Sequence, residues 1–289
     1  MMGVAFEPGD LLLAASDVDD REIDLRNHRG AGRILHLGGD FTPRSLLWTG
    51  VEGLLVGIAI DPADGSIWGA DPTARRIVHL GRDGAALPVP DLPERPFGTV
   101  LFDPAGRMLL GVHTRRGPPP ADEIGAANLL RRDGAGWQRF QLQTDGGHSG
   151  FHAVTSVALH GDVAAYLSEG GRHLYRHDLA ADRALEPLLA MPDAEGGRRV
   201  YGVAATADGW LVATGGGILK LDIGGEVLAD WQAASARGWT RVTPSHDGES
   251  FFFNNFLEGL IERRRLSDGA VIAAHDIARK CALCGVAEI

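Results

Sequence analysis

Short runs in which apolar side chains alternate with small or polar ones recur along the whole chain, each ended by a tight turn. No apolar spacing of helical period is sustained for a dozen residues, so the pattern predicts strands throughout. The first strand of a repeating unit aligns six times, at residues 56–61, 98–103, 155–160, 201–205, 240–244 and 284–288. Spacings of roughly 40 to 57 residues suit units of four strands. Turns containing Asp-Gly or Pro-Ala-Gly follow most first strands, because glycine adopts a positive φ at no steric cost. Second strands are expected at 66–70 and 210–214, third strands at 76–80, 173–176 and 218–221, and a fourth strand closes each unit, as at 184–189.

One unit is split between the chain ends. Residues 284–289 repeat the opening strand and stop, while residues 10–15 begin where a second strand would begin. The pattern therefore predicts an all-β fold, a six-bladed β-propeller whose ring is closed by the C-terminal strand joining the N-terminal blade, with seven blades as the nearest alternative. Residues 1–289 form one domain on this reading. The first strand of each blade lines the central channel. Loops from second to third strand, and from blade to blade, then share one face. That face takes the length variation, at 17–31, 114–126, 144–151 and 231–239, so function is expected there.

The run Gly-Ile-Ala-Ile-Asp-Pro-Ala-Asp-Gly-Ser-Ile-Trp-Gly-Ala-Asp at 57–71, followed by Arg76 and Ile77, resembles NHL repeats and the blades of the SMP-30/gluconolactonase superfamily. The resemblance implies a site at the channel mouth. In the lactonases of that superfamily it holds a divalent metal on Glu, Asn and Asp residues set just before the Gly that opens particular inner strands. At those openings this chain has Val56, Gly98, Thr155, Tyr201, Thr240 and Cys284, none a carboxylate or an Asn, and the lactonase Glu-Gly-Pro opening is absent. The scaffold and the place of the site carry over; the metal-ligand set does not.

Several residues could carry chemistry at that mouth. Cys281 and Cys284 enter the closing strand, and His148 and His152 precede another inner strand. Together they would suit one divalent transition metal, zinc-like, or a Cys–His nucleophile pair; the alternative is two buried apolar thiols and two loop histidines. One CxxC alone does not make a four-ligand zinc site. His113, Asp71, Glu169 and Asn255 end second strands and would present a general base and acceptors around a pocket, with Tyr201 and Arg115 beside it. Asp, Asn and Glu at strand ends also bond backbone amides. His113, His152 and Cys284 are the catalytic candidates. The acidic loop from Asp17 to Asp24 reads as solvated, Arg263 to Arg265 as a solvated outer face, Phe251 to Phe253 as core between blades, and Gly215 to Gly217 as a tight connection.

Composition narrows the partners. A net charge of -10 supplies no basic field for nucleic acid or an anionic membrane. No apolar run approaches the roughly 18 residues of a membrane span, and no signal peptide is evident at the start, so a cytoplasmic setting is expected. Two cysteines make no disulfide framework. These features point to an enzyme acting on a small molecule at the channel mouth, a lactonase- or esterase-like hydrolase or a lyase, metal- or thiol-assisted. The alternative is a non-catalytic propeller that binds a ligand or a protein.

Overall fold

The computed structural model describes residues 5–18, 30–93, 95–113, 127–147, 153–193, 197–235 and 237–289. Blade one begins with β1 (Leu11–Asp17), β2 (Ala31–Leu37) and β3 (Pro43–Glu52). Blade two holds β4 (Gly57–Ile60), β5 (Ile67–Asp71) and β6 (Arg76–Leu80). Blade three holds β7 (Phe97–Phe102), β8 (Met108–Val112), β9 (Ala127–Asp133) and β10 (Gly136–Leu142). Blade four runs from β11 (Ser156–His160) through β12 (Val163–Leu167) and β13 (His173–Asp178) to β14 (Arg183–Ala190). Blade five runs from β15 (Gly202–Thr206) through β16 (Gly209–Ala213) and β17 (Gly217–Asp222) to β18 (Val227–Gln232). Blade six holds β19 (Trp239–Pro244), β20 (Ser250–Asn255), β21 (Leu260–Arg265) and β22 (Val271–Asp276).

The last strand, β23 (Gly285–Glu288), returns to blade one, whose order is β23-β1-β2-β3. It pairs antiparallel with β1, Leu11 opposite Glu288 and Ala14 opposite Gly285. The Gly9 amide donates to the Ile289 carbonyl at 2.8 Å, and the Ile289 amide to the Asp10 carbonyl at 2.9 Å, which fastens the seam. The six-bladed ring and its closure by the C-terminal strand are as the sequence predicts.

Successive side chains point to opposite faces of a strand, so runs of apolar residues offer an apolar surface to both neighbouring blades. Six buried clusters result, one between each pair of adjacent blades. The three consecutive phenylalanines of β20 show the rule. Phe252 packs toward blade one, Phe251 and Phe253 toward blade five, and all three are fully buried. Inside the ring, the channel widens toward the short-turn face into an apolar cavity of about 590 Å³, with Ile58, Val100, Phe102, Val157 and Val203 among its walls.

Two details depart from expectation. Arg264 is buried rather than solvated: its Nε and Nη2 donate to Glu262 at 2.7 and 2.6 Å, and its guanidinium lies 5.6 Å from the Phe253 ring centroid. A carboxylate and an aromatic face together make that burial tolerable. Among the described residues, blade two has three strands, not four. Past β6 those residues make only the isolated bridge Leu80–Ala86 before Pro88, Pro90 and Pro93, which have no amide to donate to a ladder.

Candidate functional site

The inner strands come together on the long-loop face through small residues at the second position of the aligned repeat: Gly57, Thr99, Ser156, Gly202 and Gly285. A Cβ at Gly57 would lie 2.7 Å from the Gly98 carbonyl oxygen, and one at Gly202 would overlap that of Thr240. Thr99 Oγ1 donates to the Thr155 carbonyl at 3.1 Å, and Ser156 Oγ accepts from the Val203 amide at 3.0 Å. Glycine or a short hydroxyl is what lets these backbones approach. The sixth equivalent residue is Arg241, the one long cation in the set.

Arg241 is half-buried as a residue, but its charged end is enclosed by protein. That desolvation pulls its pKa down, against the opposing pull of Glu169 and Cys284. Glu169, beyond the end of β12, is exposed. Tyr201, just before β15, is half-buried; burial pushes its phenol up, the Glu169 charge adds to this, and Arg199 counters it. Cys284 is 7% exposed, in an apolar cluster with Leu54, Val56 and Phe256. Burial drives its thiol far above the ordinary value, only partly offset by Arg241, while Glu169, Asp71 and Cys281 push the same way. Glu169, Tyr201, Arg241 and Cys284 thus form a polar arc across four consecutive blades. A cation held in a poorly solvated mouth beside an accessible carboxylate can bind an anionic or carbonyl oxygen and move a proton near it.

The other predicted residues divide between mouth and scaffold. His113 is half-buried with its ring seated directly over Gly98, where a Cβ would collide with it, and its amide donates to Pro96 at 2.7 Å. Asn255 is fully buried: Oδ1 accepts from the Glu258 amide at 3.0 Å, and Nδ2 donates to Ser235 Oγ and the Arg237 carbonyl at 3.2 Å each. It braces the connection into blade six. Asp71, 1% exposed, accepts from the Ala74 amide on Oδ1 at 2.9 Å, while Oδ2, pressed against Gly53, has no hydrogen-bond partner. Burial raises its carboxyl to about 6, against the lowering effect of the Ala74, Thr73 and Leu54 amides.

Cys281, 5% exposed, adopts a φ of 52° and donates its amide to the Leu257 carbonyl at 3.2 Å. Neither cysteine is in a disulfide. His148, His152 and Arg115 lie outside the described residues, as does most of the acidic loop after Asp17. Among the described residues, no cluster of three or more His, Cys, Asp or Glu side chains is arranged to hold a metal ion. Arg241 escaped the sequence reading, although a charge at a position otherwise filled by Gly, Ser or Thr was a visible signal.

The class is a six-bladed propeller with a polar mouth, and solved structures share that scaffold. The virginiamycin B lyase of Staphylococcus aureus is similar at 15% identity and a TM-score of 0.55, over 78% of this chain and 85% of its own. A chain of a nidogen/laminin complex is similar at 12% identity and a TM-score of 0.64, over 96% and 97%. A protein of unknown function from Bacteroides caccae is similar at 13% identity and a TM-score of 0.66, over 97% and 98%. Identities this low establish the fold alone. No protein-family model and no curated protein matches the chain.

Proposed function

We propose that this chain is a small-molecule enzyme, a hydrolase or lyase that acts on a carbonyl-bearing substrate such as a lactone or ester at the long-loop mouth. The observation that carries the reading is Arg241, enclosed at the ring of inner strands and under the influence of Glu169. Such a cation stabilises the oxyanion or enolate that forms when an ester is attacked or loses an α-proton. Glu169 is the exposed carboxylate able to take or return that proton, with the Tyr201 phenol, kept protonated, as a donor. The lyase neighbour supports the reading as analogy only. A thiol- or metal-assisted course through Cys284 and Cys281, with His148 and His152, would first require removal of a proton that burial holds on Cys284.

The test is turnover of a panel of lactones and aryl esters, followed by hydrolysis and by elimination, with and without a chelator. Arg241→Ala should lower kcat/KM by about 100-fold or more, and Glu169→Gln by a similar factor. Turnover unaffected by either substitution overturns the assignment. The second reading, a non-catalytic ligand- or protein-binding propeller, is favoured by the use of Asp71 and Asn255 as backbone braces. Absence of turnover, with small carboxylates still raising the Tm in an Arg241-dependent way, would select it.

A further inference from the structure

Blades one and six enclose a hollow of about 390 Å³, with β2 and β3 on one side and residues 275–278, at the end of β22, on the other. Arg33, Leu35 and Leu37 share the face of β2 that turns toward blade six, where Leu37 joins the cluster of Phe252 and Ile277. Leu46, opposite Leu35 on β3, is 41% exposed and widens the apolar wall. Across from it stand Ile277 and His275, whose ring stacks on Phe41 at 5.9 Å between centroids.

Arg33 stands out in this wall. Its side chain is 9% exposed, yet Nε and Nη2 have no hydrogen-bond partner among the described residues. Nη1 lies 3.9 Å from Asp17 Oδ1, beyond hydrogen-bond reach, and the same oxygen accepts from Arg279 Nε at 2.7 Å. One carboxylate thus serves two guanidiniums, and Arg279 is the nearer. Burial pulls the Arg33 pKa down; Asp17 opposes this and the Arg279 charge adds to it. A guanidinium keeps its proton even so, which leaves an enclosed charge short of acceptors. The other ionised groups along the hollow are committed. Arg44 pairs with Glu7 at 2.6 Å and Asp10 at 3.3 Å, and Asp276 Oδ1 accepts from the Ala278 amide at 2.7 Å. Nε and Nη2 are also the two nitrogens whose N–H bonds run parallel on one side of a guanidinium, the pair that matches both oxygens of a carboxylate.

We propose that this hollow binds a small monocarboxylate with an apolar body, its two oxygens on Arg33 Nε and Nη2 and its body against Leu35, Leu46 and Ile277. A dianion such as phosphate suits the place less, because Asp17 and Asp276 stand near. Hexanoate is the probe. By titration calorimetry it should bind saturably to the parent and equally to Arg241→Ala, which separates this hollow from the mouth of the ring. Acetate, which leaves the apolar wall uncovered, should bind at least about tenfold more weakly. Hexanamide has the same length and no charge, and should not bind measurably. Arg33→Lys keeps the charge but loses the fork, and should weaken hexanoate about tenfold. Arg33→Leu should abolish binding at an unchanged or higher Tm, since an apolar side chain replaces a buried charge. If that variant does not fold, Arg33→Lys and hexanamide decide. No saturable binding, binding that the Arg33 variants retain in full, binding lost in Arg241→Ala, or phosphate held as tightly as hexanoate would each overturn the proposal.

Discussion

At the scale of single residues, the ring holds two kinds of buried ionisable group. Arg241 keeps a charge in an enclosed place, and Asp71 tends to lose one. With its carboxyl raised to about 6, folded Asp71 retains a proton that the unfolded chain releases nearer pH 4. Its contribution to stability is therefore lost as pH rises from about 4 through 6, by up to about 3 kcal/mol. Asp71→Asn should be as stable as the parent below pH 4 and more stable by a part of that amount at pH 8, read from urea unfolding at each pH. A difference independent of pH would show that the carboxyl is not the cause. The thiols give a second prediction. Cys281 and Cys284 should be inert to a thiol reagent in the native state and both react once denatured, because each is buried and burial holds the proton on Cys284. Ready native labelling of Cys284 would contradict its place in the apolar cluster. The candidate positions at strand ends were legible from the repeat. Which of them face the mouth was not, because the hydrogen bonds of Asn255 and Asp71 are made to loop amides and carbonyls whose paths no periodicity encodes.

At the scale of the element, strands are held together round the axis by the absence of side chains as much as by their presence. Gly202 has no positive φ to explain it, only the nearness of the Thr240 carbonyl. Gly202→Ala should cost about 1–3 kcal/mol through overpacking, seen as a lower urea midpoint at unchanged slope. By comparison Gly106→Ala meets no neighbour within 4 Å and is strained only by its φ of 75°. Strands and turns were legible because alternation and Asp-Gly turns are local signals. The missing fourth strand of blade two was not predicted: its prolines were in plain view, but the unit length still allowed a strand there. The burial of Arg264 was invisible for a different reason, since beside Glu262 on its own strand it depends on Phe253 of the paired strand and on the Gln232 carbonyl of blade five.

For the whole molecule, six similar seams carry the core, and one of them is closed by pairing residues from opposite ends of the chain. Deleting residues 285–289 removes Val286 and Ala287 from the inter-blade core and leaves β1 unpaired on its inner edge. Burial of a Val alone is worth roughly 1.5–3 kcal/mol, and the ladder bonds add to it. The truncated chain should melt lower and less cooperatively in a circular-dichroism scan, and an unchanged melt would show that the seam is dispensable. Because β1 awaits β23, the order of synthesis matters as well. During translation, blade one exists for on the order of tens of seconds as a sheet without its innermost strand, at typical elongation rates. A nascent ring is thus an open arc with an apolar lip, exposed to chaperones or to a strand from a neighbouring chain until residues 285–288 leave the ribosome.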